Sequence, residues 1–232
     1  MAVRACLAAL LAAATLSACG TSANDPLLGA VRGLAQGAVG GVLGREAEAP
    51  PAIDPRQVLT RDIINQAGLP LILLERAASG PGVTMVRMAT NGPNETWQGD
   101  GGATVTLSRE GVLRATRGAG TDLYAADIAD TRAALVHGRS GVVSRLYVHV
   151  EGDLEQRQTT FRCEIAREGS ERIAIFGQAR TLTRVTETCY RDPTGEHGFE
   201  NRYWVDGSGF AWVSEQWAGP ALGHFRVERL FR

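Results

Sequence analysis

The 232 residues carry 24 basic and 25 acidic side chains, a formal net charge of −1, and every basic residue is an arginine. A near-neutral chain with scattered arginines has no electrostatic footprint for nucleic acid. Past the N-terminal segment no apolar run approaches the roughly 20 residues that cross a bilayer as a helix, so the rest is expected to be globular or linker.

Arg4 is the only charge before Asp25, and "ACLAALLAAATLSA", residues 5–18, is almost wholly apolar. One positive charge, a short apolar segment and small residues at its end are the layout of a secretory signal peptide. Leu16-Ser17-Ala18-Cys19 resembles the bacterial lipobox, in which the cysteine thiol is acylated and the bond before it is cut. A thiolate is the nucleophile that such alkylation needs. Residues 1–18 are therefore expected to be removed, leaving Cys19 as a lipid-bearing N-terminus. One acyl chain, at about 0.8 kcal/mol per buried methylene, anchors reversibly, whereas the three that the lipobox implies anchor stably. Gly20 stands where inner-membrane retention signals usually have Asp, which favours the outer membrane and its periplasmic face by analogy with enteric bacteria.

Cys6 leaves with the signal, so Cys163 and Cys189 remain as an even pair in an oxidising compartment. They are expected to form a disulfide, with two separate buried thiols as the alternative. Such a loop closure stabilises by about 3–4 kcal/mol in the chain-entropy model. Neither cysteine has a second Cys or His at ligand spacing, so no metal site is expected. Residues 19–57 read as the acylated cysteine and a flexible tether, because glycines 29, 33, 37, 40, 41 and 44 weaken any helix. Leu27, Leu28, Val31, Leu34, Val39, Val42 and Leu43 leave open a small-residue helix packed on a partner.

Residues 58–232 read as one antiparallel β domain. "TRDIINQAGLP" has Thr60 at an N-cap position and Gly68-Leu69-Pro70 as a stop, which predicts a short helix. The runs "LPLILLERA", "VTMVRMAT", "GATVTLSR" and "GVLRATRG" follow as strands, the last two joined by an Arg109-Glu110-Gly111 hairpin. "DIADTRAALVHG" predicts a second helix, started by Asp127 or Asp130 and stopped at Gly138. In "VVSRLYVHVEG" one face carries Val143, Arg145, Tyr147 and His149. "TTFRCEIAR", "RIAIFGQAR", "LTRVTETCY", "ENRYWV", "GFAWVSEQW" and "GHFRVERLF" continue the period of two, and "VDGSGF", residues 205–210, is a strong hairpin signal. About ten strands with one or two short helices predict a mainly-β meander that curves into a barrel or a sandwich.

At "TWQGDGGATVTLSREGVLRATRGAGTDLYAADI", residues 96–128, the chain resembles the YjbF/GfcB family of outer-membrane lipoproteins, which is associated with exopolysaccharide and group 4 capsule production. The matching positions are Trp97, Gly111, Thr116, Gly118, Asp122 and Leu123, then Glu187, Cys189, Trp204, Trp212, Gln216 and Trp217. Ala119 departs from the pattern, which more often has Leu there. The resemblance spans roughly residues 60–232 and implies a mainly antiparallel β fold and a role in polysaccharide production or export. It implies no enzymatic activity, no catalytic residues and no cofactor. Its implied partners are the membrane, through the acyl chains, and a polysaccharide or its export proteins.

The residues themselves show no catalytic signature. "GRSGVV" and "DGSGF" are the nearest approaches to a nucleophile elbow, and both read as turns. His137, His149, His197 and His224 fall one per element. The carboxylates Asp100, Asp122, Asp127, Glu151, Asp153, Glu187 and Glu215 show no spacing that marks a glycosidase pair. Binding is more plausible chemistry. Trp204, Trp212 and Trp217, with Gln216 beside them, either pack as core and cross-strand pairs or present indole faces on which sugar rings stack. The expectation is a binding or scaffolding module, with a lipid or lipopolysaccharide carrier and a polysaccharide hydrolase as competing readings.

Overall fold

The period-two alternation after Pro70 becomes a β-sheet in a computed structural model that describes residues 53–76, 79–150 and 155–231. The signal segment, Cys19 and most of the tether lie outside the described residues. In chain order the elements are α1 (Pro55–Val58), α2 (Arg61–Ala67), β1 (Leu71–Arg76), β2 (Ser79–Asn91), β3 (Asn94–Gln98), β4 (Thr104–Ser108), β5 (Leu113–Arg117) and β6 (Leu123–Asp127). Then come α3 (Ala129–Val136), β7 (Gly141–Val150), β8 (Gln156–Ile175), β9 (Gln178–Arg191), β10 (His197–Val205), β11 (Ala211–Gly219) and β12 (Gly223–Phe231).

All twelve strands belong to one antiparallel sheet in the order β5-β4-β3-β2-β1-β12-β11-β10-β9-β8-β7-β6. Pairing of β1 with β12, through Ile72↔Arg229 to Arg76↔Phe225, joins the two ends of the meander. The free edges are therefore β5 and β6, which are consecutive in the chain. An exposed edge leaves a row of unpaired backbone groups, and here side chains satisfy several of them. Arg117 Nη2 donates to Tyr124 O at 2.9 Å and its Nη1 donates to Leu123 O at 3.3 Å, while its guanidinium lies 4.6 Å from the Tyr124 ring. Thr116 Oγ1 accepts from Leu123 N at 3.0 Å and donates to Asp122 Oδ1 at 2.7 Å. Asp122 also accepts from Gly118 N and Ala119 N. The sheet is thus nearly closed into a barrel, with a seam of guanidinium, hydroxyl and carboxylate in place of a backbone ladder.

Two strands escape the hydrophobic pattern. In β3, "NETWQ", Trp97 is the only large apolar residue, and β6, "LYAAD", adjoins the predicted helix and merges with it in sequence. Conversely, "TTFRCEIAR" and the start of "RIAIFGQAR" fuse into the 20-residue β8. That strand turns at Phe176-Gly177, both with positive φ (45° and 81°), the signature of a two-residue hairpin whose twist matches its strands. Both expected helices form: the Thr60 side chain caps α2, Asp127 Oδ1 accepts from Ala129 N at the start of α3, and Gly68 and Gly138 are left-handed where they end. An unforeseen turn of helix, α1, begins after an Asp54 cap. Its Arg56 bonds Glu75 and Glu228, so this part of the expected tether packs on the sheet.

Strand β1 shows why "LILL" is apolar without alternation: Ile72 joins the interior cluster with Trp97, Leu107, Tyr147, Phe161 and Tyr203, while Leu71 and Leu73 pack outside against Ile64 of α2. A strand buried on both faces loses the polar half of its pattern. Connections between β4 and β5, β6 and β7, β8 and β9, and β10 and β11 gather at one end of the barrel. There Leu135 and Ala134 of α3 are buried, and a Cβ on Gly209 of the β10–β11 turn would lie 2.5 Å from Leu135 O. The opposite end carries the β5–β6, β7–β8, β9–β10 and β11–β12 connections.

Replacing Asp122 with Ala removes three hydrogen bonds from the seam at once. Urea unfolding of Asp122→Ala is expected to show a loss of about 2–4 kcal/mol, below the sum of three bonds at about 1.5–3 kcal/mol each because the carboxylate is only half-buried and its freed partners can turn to water.

Candidate functional site

The interior is organised around one carboxylate. Glu187 of β9 is fully buried. Its Oε1 accepts from Thr131 Oγ1 of α3 at 2.6 Å. Its Oε2 accepts from Arg145 Nη1 of β7, from Asn201 Nδ2 at 2.8 Å and from Tyr203 OH at 2.9 Å, the last two on β10. Register explains the convergence: Asn201 faces Glu187 across the β9–β10 ladder, and cross-strand partners share a face. Burial opposes the charge on Arg145, but Glu187, Tyr147 and Tyr203 outweigh it and hold that guanidinium more firmly protonated than usual. Its Nε and Nη2 are buried without a hydrogen-bond partner. Cys163 and Cys189, directly opposed on β8 and β9, are joined as a disulfide beside this cluster. With Glu187 they form a group of ligand-type atoms within 4.8 Å, but both sulfurs are bonded and the carboxylate already has four donors.

The same network reaches the open end of the barrel. Asn201 Oδ1 accepts from the backbone N of Trp217 at 2.8 Å, and the β11–β12 ladder is irregular between Trp217 and Gly219. The indole lies nearly parallel to Phe199 (4.7 Å, 12°) and Tyr147 (5.7 Å, 10°), with Phe161 edge-on. His149 Nε2 lies 2.9 Å from Ala218 O, a contact that requires that nitrogen to carry the hydrogen. These rings floor a cleft of about 370 Å³ lined by Thr121, His149, Arg157, Thr159, Phe161, Arg191, Trp217, Pro220 and Ala221. Trp217 also borders a groove on the outside of β9–β12 that contains Phe199, His224, Glu215 and Arg226.

The four residues weighed as either core or glycan-binding do not share one surface. Gln216 is fully buried: its Oε1 accepts from Leu113 N, and its Nε2 donates to Gly111 O and Ser214 Oγ, so it ties β11 to the β4–β5 hairpin. Trp204 is 8% exposed and donates to Glu171; Trp212, equally buried, donates to Asp206 and lies under Arg180, whose guanidinium is 3.4 Å from its ring centre. Both belong to the outer cluster around α2, and only Trp217 stands in the open-end cleft. Arg191, Thr159, Phe161 and His149 are cleft residues that the sequence alone did not single out. The alternation in "VVSRLYVHVEG" places Tyr147 and His149 on one face, but the pairing of Phe161 with Arg191 depends on where the β8–β9 turn falls.

Two outcomes follow from the buried network. Glu187→Gln leaves the Arg145 charge uncompensated and is expected to cost about 3–5 kcal/mol in chemical denaturation. Burial first, reinforced by Glu187 and opposed by Arg145, pushes the Tyr147 phenol up to about 12 from its ordinary 10.0, and Tyr203 is raised in the same way. A raised folded value means that the stability is fully present below pH 10 and is lost as pH rises through the folded value. The urea midpoint should therefore fall between pH 10 and 12, and fall less in a Tyr147→Phe/Tyr203→Phe variant.

Among curated proteins no sequence match is found. The fold matches the crystal structure of the hypothetical lipoprotein YmcC from Escherichia coli (K12) with a TM-score of 0.65 and 18% identity, over 75% of this chain and 89% of that one. That likeness shows a shared fold. The family model for the group 4 capsule polysaccharide lipoprotein gfcB, YjbF, matches residues 15–230, nearly the whole chain and all of the described barrel but its last residue. With the Glu187 centre, the Asp122 seam and the Gln216 tie all built from positions that carry the resemblance, the chain belongs to the YjbF family of group 4 capsule polysaccharide lipoproteins.

Proposed function

We propose that this protein is a non-enzymatic, lipid-anchored module that binds polysaccharide, or scaffolds its handling, during capsule or exopolysaccharide production and export. Cys19 would hold it at the periplasmic face of the outer membrane, and residues 20–52 would set its reach. The observation that carries this reading is Trp217, the one partly exposed indole in the open-end cleft, held rigid by stacking and by the Asn201 bond. An indole pre-ordered in this way offers a sugar ring an apolar face at little entropic cost. The threonines Thr121 and Thr159 supply hydroxyls at the same cleft. A lumen filled by Trp97, Tyr147, Tyr203 and buried ion pairs is unlike the dry apolar cavity that a lipid carrier needs.

Deleting the gene is expected to reduce secreted polymer, and the wild-type chain to restore it. Cys19→Ala should fail to restore it, and Trp217→Ala should restore it poorly at equal protein level. Unaltered secretion on deletion would end the export reading. Purified polymer that became shorter on incubation with the protein would favour the hydrolase.

A further inference from the structure

The long hairpin of β8 and β9 leaves one stretch of strand with a single neighbour. Pairing of β7 with β8 stops at Gly141↔Ile165, whereas β9 accompanies β8 as far as Ile175↔Gln178. Those last two residues flank the two-residue Phe176-Gly177 turn, so they exchange backbone bonds with each other. The ladder then runs in unbroken register back to Ser170↔Thr183, and its alternation turns the N–H and C=O groups of Ala174, Arg172 and Ser170 away from β9. All three residues are exposed, and among the described residues nothing bonds these outward backbone groups. Side chains give this edge a charge. Arg167, Ser170 and Arg172 face Val185, Thr183 and Thr181, which alternate along β9, so they share one face. The Arg167 guanidinium reaches Gly138, beside Arg139: a Cβ on that glycine would lie 3.9 Å from Arg167 Cζ. Arg139, Arg167 and Arg172 have no carboxylate partner among the described residues. The nearby acids, Glu168 and Glu171, lie on the other face, where Arg184 holds both.

We propose that the edge of β8 at residues 170–174 is a docking site for an extended segment of a partner protein, which adds as a strand and carries acidic side chains at alternate positions. Backbone bonds to Ser170, Arg172 and Ala174 supply the ladder, as in strand addition generally. The acids on one face of the incoming strand meet Arg172 and Arg167, and its other face lies beside Ile173. Opposite charges that face each other across a strand pair stabilise it, and like charges oppose it. That rule disfavours a second copy as the occupant, because a two-fold axis at the middle of the edge sets Arg172 against Arg172. A bulge at Glu168-Gly169 closes the edge on one side and the turn closes it on the other. The site therefore takes a short strand and does not invite open-ended pairing. It is independent of the glycan-binding reading, since the β8–β9 turn belongs to the helix end of the barrel and the Trp217 cleft to the open end.

Amide hydrogen exchange tests this in the full-length chain in neutral phosphatidylcholine nanodiscs, read by mass spectrometry with electron-transfer fragmentation to resolve single amides. The probe is a synthetic peptide, acetyl-Thr-Glu-Val-Glu-Val-Thr-amide. Without peptide, the Ser170, Arg172 and Ala174 amides are expected to exchange fast and those of Glu171 and Ile173, bonded to β9, slowly. Saturating peptide should slow the first three about tenfold or more. Arg172→Glu should weaken binding about fivefold or more. Ala174→Pro, which deletes one outward N–H and leaves the β9 ladder whole, should weaken it about tenfold. The same peptide with lysine for glutamate, or N-methylated at alternate residues, should not bind. Equal binding of the N-methylated peptide would overturn strand addition in favour of a purely electrostatic contact. Slow exchange at the three amides without peptide would overturn the proposal in favour of an occupant within this chain or, where the slowing grew with protein concentration, a second copy. Exchange that no peptide changes would overturn it outright.

Discussion

A carboxylate with no contact with water has to be compensated from every side, and that requirement at Glu187 organises the barrel. Its four donors come from α3, β7 and β10, while the carboxylate itself sits on β9. A slip of one residue in any of these strands would turn a member of the set to the opposite face and strand a charge in the interior. Buried ionic groups are weak sources of net stability, but a set this dependent on register discriminates strongly against misaligned pairings. The disulfide two residues along β9 locks the β8–β9 register from the same face. A second buried pair, Arg229 with Glu95, joins β12 to β3 under the Trp97 ring.

Function and stability share this framework through Asn201. One end of its amide donates to Glu187 and the other accepts from the Trp217 backbone, so the residue that satisfies the buried charge also positions the exposed indole. The barrel interior is thereby rigid where the cleft begins. Outside, Arg184, Arg202 and Arg226 pair with carboxylates of β8, β10, β11 and β12.

Much of the fold was legible in the chain. Period-two alternation, hairpin residues at 109–111 and 205–210, and caps at Thr60 and Gly68 mark local choices that the backbone makes with near neighbours alone. The elements that escaped notice are those whose pattern depends on distant partners. Strand β3 is polar because it needs to bury only Trp97 and Glu95, and Glu95 is acceptable inside because Arg87 of β2 takes one of its oxygens and Arg229, from the other end of the chain, takes the other. Helix α1 looks like linker until Glu75 and Glu228 receive its Arg56. Gln216, adjacent in sequence to Trp217, reads as a partner for sugar hydroxyls; its true partners are Leu113 and Gly111, more than a hundred residues away.

The amino-acid sequence by itself determined the antiparallel β character and the family, because both are written in short windows or ordered motifs. Only the tertiary structure decided that the meander closes on itself through β1 and β12, that the seam is held by Arg117, Thr116 and Asp122, and that Trp217 alone of the three C-terminal indoles reaches the open-end cleft. Closure and burial come from contacts between residues far apart in the chain, and the strand register that sets those contacts is resolved only when every buried charge has found its partner.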